Sequence, residues 1–403
     1  MKTNEIRLGE QCVVTSSKRF HLSERITQGV PFYCSKEIIK KFNGEDVTEC
    51  DYISEDLYKK VSNEFGVPKE NDLLITTRGT IGIPYLYKRT DRFYFADGNL
   101  TWIKDFDSNL YSKFLYYWFQ SYEGRKKFEA LAKGTAQKAV PISGIKTLEI
   151  ELPSLKSQKR IADILSAYDD LIENNQKQIK LLEEAAQRLY KEWFVDLRFP
   201  GHENTKIVDG VPEGWQWCKV RDVADINSSA LPKNYKEDFI DYVDLGSVRC
   251  GHIETRARYN LNEAPGRAKR CAKDGDIIWG MVRPNLKAYA LVTNPKETDV
   301  FSTGFAVLSA KKVPYSYLYC AVTQEEFVGY LVNATNGAAY PAVKPVHFEV
   351  ADILKPDDKV LEKFHSVADS IYRKKEALEN QNHNLRESRD LILPKLMSGE
   401  VEV

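Results

Sequence analysis

Several common signatures are missing from this chain, and each absence narrows what it can be. Its 58 Lys and Arg residues balance 58 Asp and Glu, so bulk charge announces no polyanionic partner and any such partner must meet a local patch. No apolar run approaches the roughly 18 residues that a membrane-spanning helix needs. The opening "MKTNEIRLGEQ" has no apolar core of the secretory type, so the protein is expected in the cytoplasm, without a membrane partner. The seven cysteines, at 12, 34, 50, 218, 250, 271 and 320, include no C-x-x-C pair. That spacing argues against a zinc site and a disulfide framework, and the thiols are expected to be reduced and mostly buried.

Catalytic signatures are absent too. There is no Gly-Lys dipeptide and hence no Walker A loop, no G-x-G-x-x-G opening a helix, and no Asn-Pro-Pro-aromatic run of the kind amino-methyltransferases use. The six histidines show no H-x-x-x-H spacing. "PDDK" (356–359) is faintly like a metal-dependent nuclease motif, but a proline and two aspartates also suit a first helical turn, and that reading is preferred. No catalytic residue and no metal ligand is assigned.

What the chain does have is length and repetition. At 403 residues it exceeds one ordinary hydrophobic core. "GTAQKAV" (134–140) returns as "GAAYPAV" (337–343), an offset of 203. Upstream, Asp72-Leu-Leu-Ile leading to Arg78 is answered by Asp276-Ile-Ile-Trp leading to Arg283, with one extra residue, and "LGEQCVVTSS" (8–17) by "VRDVADINSS" (220–229). The segments 71–104 and 275–309 are rich in β-branched and aromatic residues with Gly, Pro and Asn punctuation, the pattern of short strands.

After each such segment the periodicity changes. Ile161, Leu165, Tyr168, Ile172, Ile179, Leu182, Ala186, Leu189 and Trp193 recur at steps of three and four, interrupted at Asn175, with no proline or glycine between Ser157 and Asp196. This is a heptad seam, and its 40 residues at 1.5 Å each make a rod of roughly 60 Å. Ser154 or Ser157 could cap its start, and "RFPG" stops it. At the 203 offset the seam becomes Phe364, Ile371, Leu378, Leu385 and Ile392, interleaved with Ala368, Lys375, Asn382 and Arg389. The polar half predicts a narrower apolar stripe with water elsewhere, and Pro394 is expected to interrupt the second helix. Asn175 reads as a register device between paired helices.

Basic residues interleaved with aromatics and amides lie between the strands. From Arg256 to Lys273 six basic residues face one acid, Glu263; Lys88, Arg89 and Arg92 form a second group, and Arg125, Lys126 and Lys127 a third. Each is a phosphate-facing surface or a solvated loop, and the sequence leaves both open. Arg78 and Arg283, at matching points of the repeat, could take a phosphate or a guanine edge, or sit in a surface ion pair.

The stretch 148–201 ("LEIELPSLKSQKRIADILSAYDD…VDLRFPG"), "PEGWQWCKVRDVADI" (212–226) and "LRESRDLILPKLMSGEV" (385–401) together resemble the conserved regions of specificity subunits of type I restriction-modification systems. The likeness covers essentially the whole chain, departing where the first domain opens at "NEIRLGE" without a proline-glycine-tryptophan lead-in. The resemblance implies an α+β architecture with two mixed α/β target-recognition domains separated by two long antiparallel coiled-coil helices, as a pseudo-twofold internal repeat. The divisions are 1–153 and 201–355 for recognition, 154–200 for the central helical spacer and 356–403 for the C-terminal helix.

It implies a non-catalytic reader of bipartite double-stranded DNA, one domain per half-site, with the helices setting the spacer. Two modification (methyltransferase) subunits would dock on the helical regions and restriction subunits would join; S-adenosylmethionine, ATP and Mg belong to those partners, with no cofactor in this chain. The candidate DNA contacts are Arg78, Thr80, Lys88, Arg89, Lys133, Thr135, Gln137 and Lys138 in the first copy, and Arg267, Lys269, Arg270, Arg283, Lys287, Tyr340 and Lys344 in the second. The apolar seam residues named above are the candidates for helix packing and subunit docking. The competing reading is a free-standing DNA-binding regulator or scaffold.

Overall fold

A computed structural model describes residues 4–134, 138–335 and 341–403. The chain forms two compact units, one of Met1–Lys177 with Asn380–Val403 and one of Gln178–Glu379. The duplication predicted from sequence is visible in the strand order of both. In the first unit a four-stranded antiparallel sheet runs Val13–Thr15, Leu100–Lys104, Leu73–Thr76, Pro84–Leu86; in the second the order is Ala224–Ile226, Phe305–Ala310, Ile277–Gly280, Tyr289–Leu291. Each unit has a further sheet with one parallel pairing, three-stranded in the first unit with Phe32 against Tyr94, and four-stranded in the second with Tyr242 against Val300. A two-stranded ribbon leads into each long helix, Asn4–Arg7 with Glu149–Leu152 and Gln216–Lys219 with Asp352–Lys355.

The central strands Leu73–Thr76 and Ile277–Gly280 are buried at every position, as their unbroken apolar character requires for a strand covered on both faces. Asp72 and Asp276 open them by accepting from the backbone N–H of Lys69 and Lys273, at 2.9 Å in both cases, so the repeat extends to its turn chemistry.

In chain order a long helix lies between the two sheet-rich segments. It runs Leu155–Tyr190, followed by a π-turn over Lys191–Val195; Ser154 caps it by accepting from Ser157 N at 3.2 Å. The second long helix runs Asp358–Ser398, and the "PDDK" segment is its start. Pro394 does not interrupt this helix. Its fixed φ suits helical backbone, and so near the C-terminus the missing N–H costs only one hydrogen bond of the last turns.

Within the first unit the start of the first helix packs beside the end of the second: Ile161 and Leu165 share one core with Leu393 and Leu396. Within the second unit Ala186, Tyr190 and Phe194 share a core with Leu361, Phe364, Ala368 and Tyr372. In each unit the two helices are therefore antiparallel. Of the seam residues, Ile161, Leu165, Ile172, Phe364 and Leu378 are buried; Tyr168, Ile179, Leu182, Leu189, Trp193, Ile371, Leu385 and Ile392 are half-buried.

One expectation about the second helix is corrected. Lys375 and Asn382 face inward, each under a tenth exposed, and Arg389 is half-buried. Asn382 Oδ1 accepts from Asn175 Nδ2 at 2.9 Å, and Gln381 Oε1 from the same amide at 3.1 Å. Arg389 reaches Asp169 at 2.6 Å, whose other oxygen accepts from the Tyr117 hydroxyl at 2.6 Å. Lys375 Nζ meets Glu183 at 2.6 Å, Glu379 at 3.5 Å and the Gly251 carbonyl at 2.5 Å. The polar half of the seam is thus a set of partnered polar layers facing protein, where the periodicity alone suggested water. Asn175, 4% exposed, sits in the first of these layers as a register device would.

The thiols also differ from expectation. All seven are free, but only Cys12 and Cys320 are buried, while Cys250 is exposed.

Candidate nucleic-acid interface

Each unit presents a turn at the end of its buried central strand, and the segment that leaves the unit for the long helix returns to hydrogen-bond beneath it. Val140 N donates to Thr77 O at 2.9 Å, and Val343 N donates to Met281 O at 2.8 Å. Isolated bridges pair Arg78 with Ala139 and Val282 with Ala342. These contacts tie Ala139 and Val140, and Ala342 and Val343, to equivalent places in the two units.

They also correct the match between the arginines. Arg78 is equivalent to Val282, and Arg283 stands one residue further along; the extra residue of the second copy falls beyond this point, before Leu291, which pairs with Ile277 as Leu86 pairs with Leu73. Arg78 is exposed and lies in regular extended backbone, whereas Arg283, also exposed, has φ 51°, in the left-handed region. The first turn reaches positive φ only through Gly79 (75°) and Gly82 (83°).

In the first unit Lys133 pairs with Ala139 in an antiparallel bridge, with N–O distances of 2.8 and 3.0 Å, and Ala139 also pairs with Arg78. A cleft of about 320 Å³ opens there, lined by Ser16, Thr77, Arg78, Thr101, Lys133 and Val140, among others. Thr80 and Lys138 are exposed nearby in sequence. The candidates Thr135, Gln137 and Tyr340 lie outside the described residues.

The remaining basic candidates divide. Lys88 is paired with Glu173 of the first long helix, and Arg92 with Glu55; Arg89 is exposed. Lys127 pairs with Glu123 at 2.8 Å, while Arg125 and Lys126 are exposed. Within the 256–273 run, Arg256 meets Asp299 at 3.2 Å and Arg258 grips both oxygens of Asp241 at 2.9 and 3.1 Å. The Arg258 guanidinium holds the Asp241 carboxyl below the usual carboxylate range. Arg267 and Lys269 stay exposed and Arg270 is half-buried, so the free basic surface of that run is narrower than its composition suggests. Lys287 is bound to Glu325 of the helix Glu325–Asn333, and Lys344 is exposed at the N-cap of the short helix Pro345–Glu349.

Sequence reasoning missed Asn285 and Leu286, both exposed at the tip of the second turn, with Leu286 61% accessible. The signal was present: a Pro-Asn pair between two apolar strands marks a turn whose side chains point outward. Among the described residues no group of three or more His, Cys, Asp or Glu could hold a metal ion, and no helix is long and apolar enough to cross a membrane.

Residues 3–184 match the family described as the type I restriction modification DNA specificity domain. The chain is 27% identical over 303 residues to the type I restriction enzyme MjaIX specificity subunit of Methanocaldococcus jannaschii, covering 72% of this chain and 69% of that one. It is 25% identical over 365 residues to the MjaVIII specificity subunit of the same organism, covering 86% and 83%. A crystal structure of a type I restriction-modification S subunit from M. genitalium superposes with a TM-score of 0.61 at 15% identity, over 98% of this chain and 96% of that one. That likeness concerns the fold.

Proposed function

We infer that this chain, which belongs with the specificity subunits of type I restriction-modification systems, is the component that recognises DNA and is itself non-catalytic. The observation that carries the reading is the duplication: one sheet order, one hydrogen bond under one turn, built twice, with different side chains on the two turns. A repeated scaffold with unlike tips suits a target whose two parts are unlike.

In this reading each unit contacts one half of a split, asymmetric double-stranded site, and paired half-site readers address major grooves about a helical turn apart. In the first unit Arg78 and Lys133 line the cleft and Lys138 is exposed beside the cleft-lining Ala139 in sequence, where guanidinium and ammonium groups can take phosphate or base edges. The helical regions receive modification subunits, two per chain, and restriction subunits join that assembly. Methyl transfer with S-adenosylmethionine, and ATP- and Mg-dependent work, belong to those partners, and the assembly acts in the cytoplasm.

The test compares DNA affinity of the purified chain with that of the chain co-expressed with its modification subunit. Site-specific binding that appears with the modification subunit supports the reading. Tight site-specific binding by the chain alone, unaffected by that subunit, would favour a free-standing regulator instead.

A further inference from the structure

We propose that the turn Arg283 to Lys287 is the base-reading element of the second unit, with Arg283 and Asn285 addressed to purine edges in the DNA major groove. The proposal rests on the reading of this chain as a DNA-recognition subunit.

The first observation is backbone conformation. Arg283 and Lys287 both lie in the left-handed region, at φ 51° and 54°, on either side of the short helical turn Pro284–Leu286. Side chains other than glycine rarely adopt this conformation and do so at a cost in free energy, and such residues gather at functional sites when the surroundings fix them. The first unit solves the same turn with Gly79 and Gly82. Glycine would relieve the second turn as well, so what is retained there is a side chain.

The second observation is how the turn is held. Arg283 N donates to Pro341 O at 2.8 Å, Leu286 N to Arg283 O at 2.8 Å, Lys287 N to Pro284 O at 3.0 Å, and Gly280 N to Ala288 O at 2.7 Å below it. Pro284 is buried, and Lys287 Nζ is bound to Glu325. The turn is braced at both ends and carries its outward side chains on a fixed frame, which reduces the ordering cost on binding.

The third is the chemistry of the tip. Arg283, Asn285 and Leu286 are exposed, and the half-buried Lys287 beside them is paired with Glu325. Arginine matches the O6 and N7 acceptors of guanine, asparagine the N6 and N7 of adenine, and an apolar side chain the methyl of thymine. That set belongs to direct readout of base edges rather than to backbone neutralisation. The first unit's turn offers Thr80 between its glycines, so the two halves of the target would be read by different groups.

The test uses the full chain with its modification subunits in a host without other such systems, and sequences the methylated genome. Arg283→Ala, Asn285→Ala and Arg283→Gly are compared with the unaltered chain. The expected result is relaxed specificity at one or two purine positions in a single half of the motif. Discrimination there should fall by roughly five- to a hundredfold, with the spacer and the other half unchanged. Arg283→Gly should behave as Arg283→Ala, because relief of backbone strain does not replace the guanidinium. The proposal is overturned if Arg283→Gly keeps full specificity, or if all three variants lower methylation uniformly with an unchanged motif. A missing bipartite motif with the unaltered chain would instead overturn the DNA-recognition reading on which the proposal stands.

Discussion

Replacing Lys375 with methionine should destabilise the second unit by about 3 kcal/mol and leave the first unit unchanged. Lys375 is 6% exposed, and its ammonium is matched by Glu183 at 2.6 Å, Glu379 at 3.5 Å and the Gly251 carbonyl at 2.5 Å. Breaking a buried pair from one side costs about 3–5 kcal/mol, since the remaining charge stays in place without compensation. The carboxylates of Glu183 and Glu379 keep 32% and 23% of their surface, which places the expected loss at the lower end of that range.

With a urea slope of about 2–3 kcal/mol per molar, the midpoint of the second unit should fall by about 1 M or more. Hydrogen exchange read by mass spectrometry along the urea titration separates the two units. Glu183→Leu added to Lys375→Met should restore about 1 kcal/mol or more, by removing the stranded carboxylate. The reasoning is refuted if Lys375→Met costs under about 0.5 kcal/mol, the range of an ordinary surface substitution.

The same cluster predicts a pH dependence. Burial opposes the charge of Lys375, but the carboxylates of Glu379 and Glu183 outweigh it and hold the ammonium above the ordinary lysine value. Burial likewise raises Glu379, but the hydrogen bond from His252 at 2.9 Å and the Lys375 charge bring it below the ordinary value. A depressed carboxyl contributes stability that is present above its unfolded value of about 4.3 and lost as pH falls through the folded one. A raised lysine contributes stability that is present below about 10.4 and lost as pH rises through its folded value. The second unit should therefore lose stability below about pH 4.3, and Lys375→Met should flatten that acid limb.

Two further substitutions probe the first unit. Asn175→Leu strands the buried amide of Asn382 and should cost about 1–3 kcal/mol, whereas Asn175→Leu with Asn382→Ile, which copies the Leu378 and Ile179 found at the repeat-related positions, should be close to neutral; thermal denaturation distinguishes them. Leu165→Glu places a carboxylate in a fully buried site and should cost about 4 kcal/mol or more, with loss of co-purification with the modification subunit; assembly that persists unchanged would contradict a docking role for the packed helices.

The elements with long periodicity were legible in the sequence. The seam from Ile161 to Trp193 gave a helix that starts two residues before Ser157, and the 203 offset placed its partner. The internal repeat was legible for the same reason, since turn residues such as Asp72 and Asp276 perform the same capping twice. What periodicity could not supply was partnership. Lys375, Asn382 and Arg389 fall at seam positions and read as solvent-facing, because a polar residue is buried only when a matching group stands opposite. Glu183, Asn175 and Asp169 supply that match from another part of the chain.

The recognition turns were half legible. Arg78 and Arg283 were found, but the one-residue shift between them depends on backbone pairing with Ala139 and Pro341, which a sequence offset cannot resolve. For the basic runs, composition overstated the free surface. Arg256, Arg258 and Lys88 are spent on Asp299, Asp241 and Glu173, and those acids lie far from them in sequence.

The most direct measurement is methylome sequencing of a host carrying the intact partner genes, with and without the gene for this chain. A bipartite, asymmetric methylated motif that is present with the gene and absent without it is the predicted result. Identical methylation in the two hosts would contradict the account.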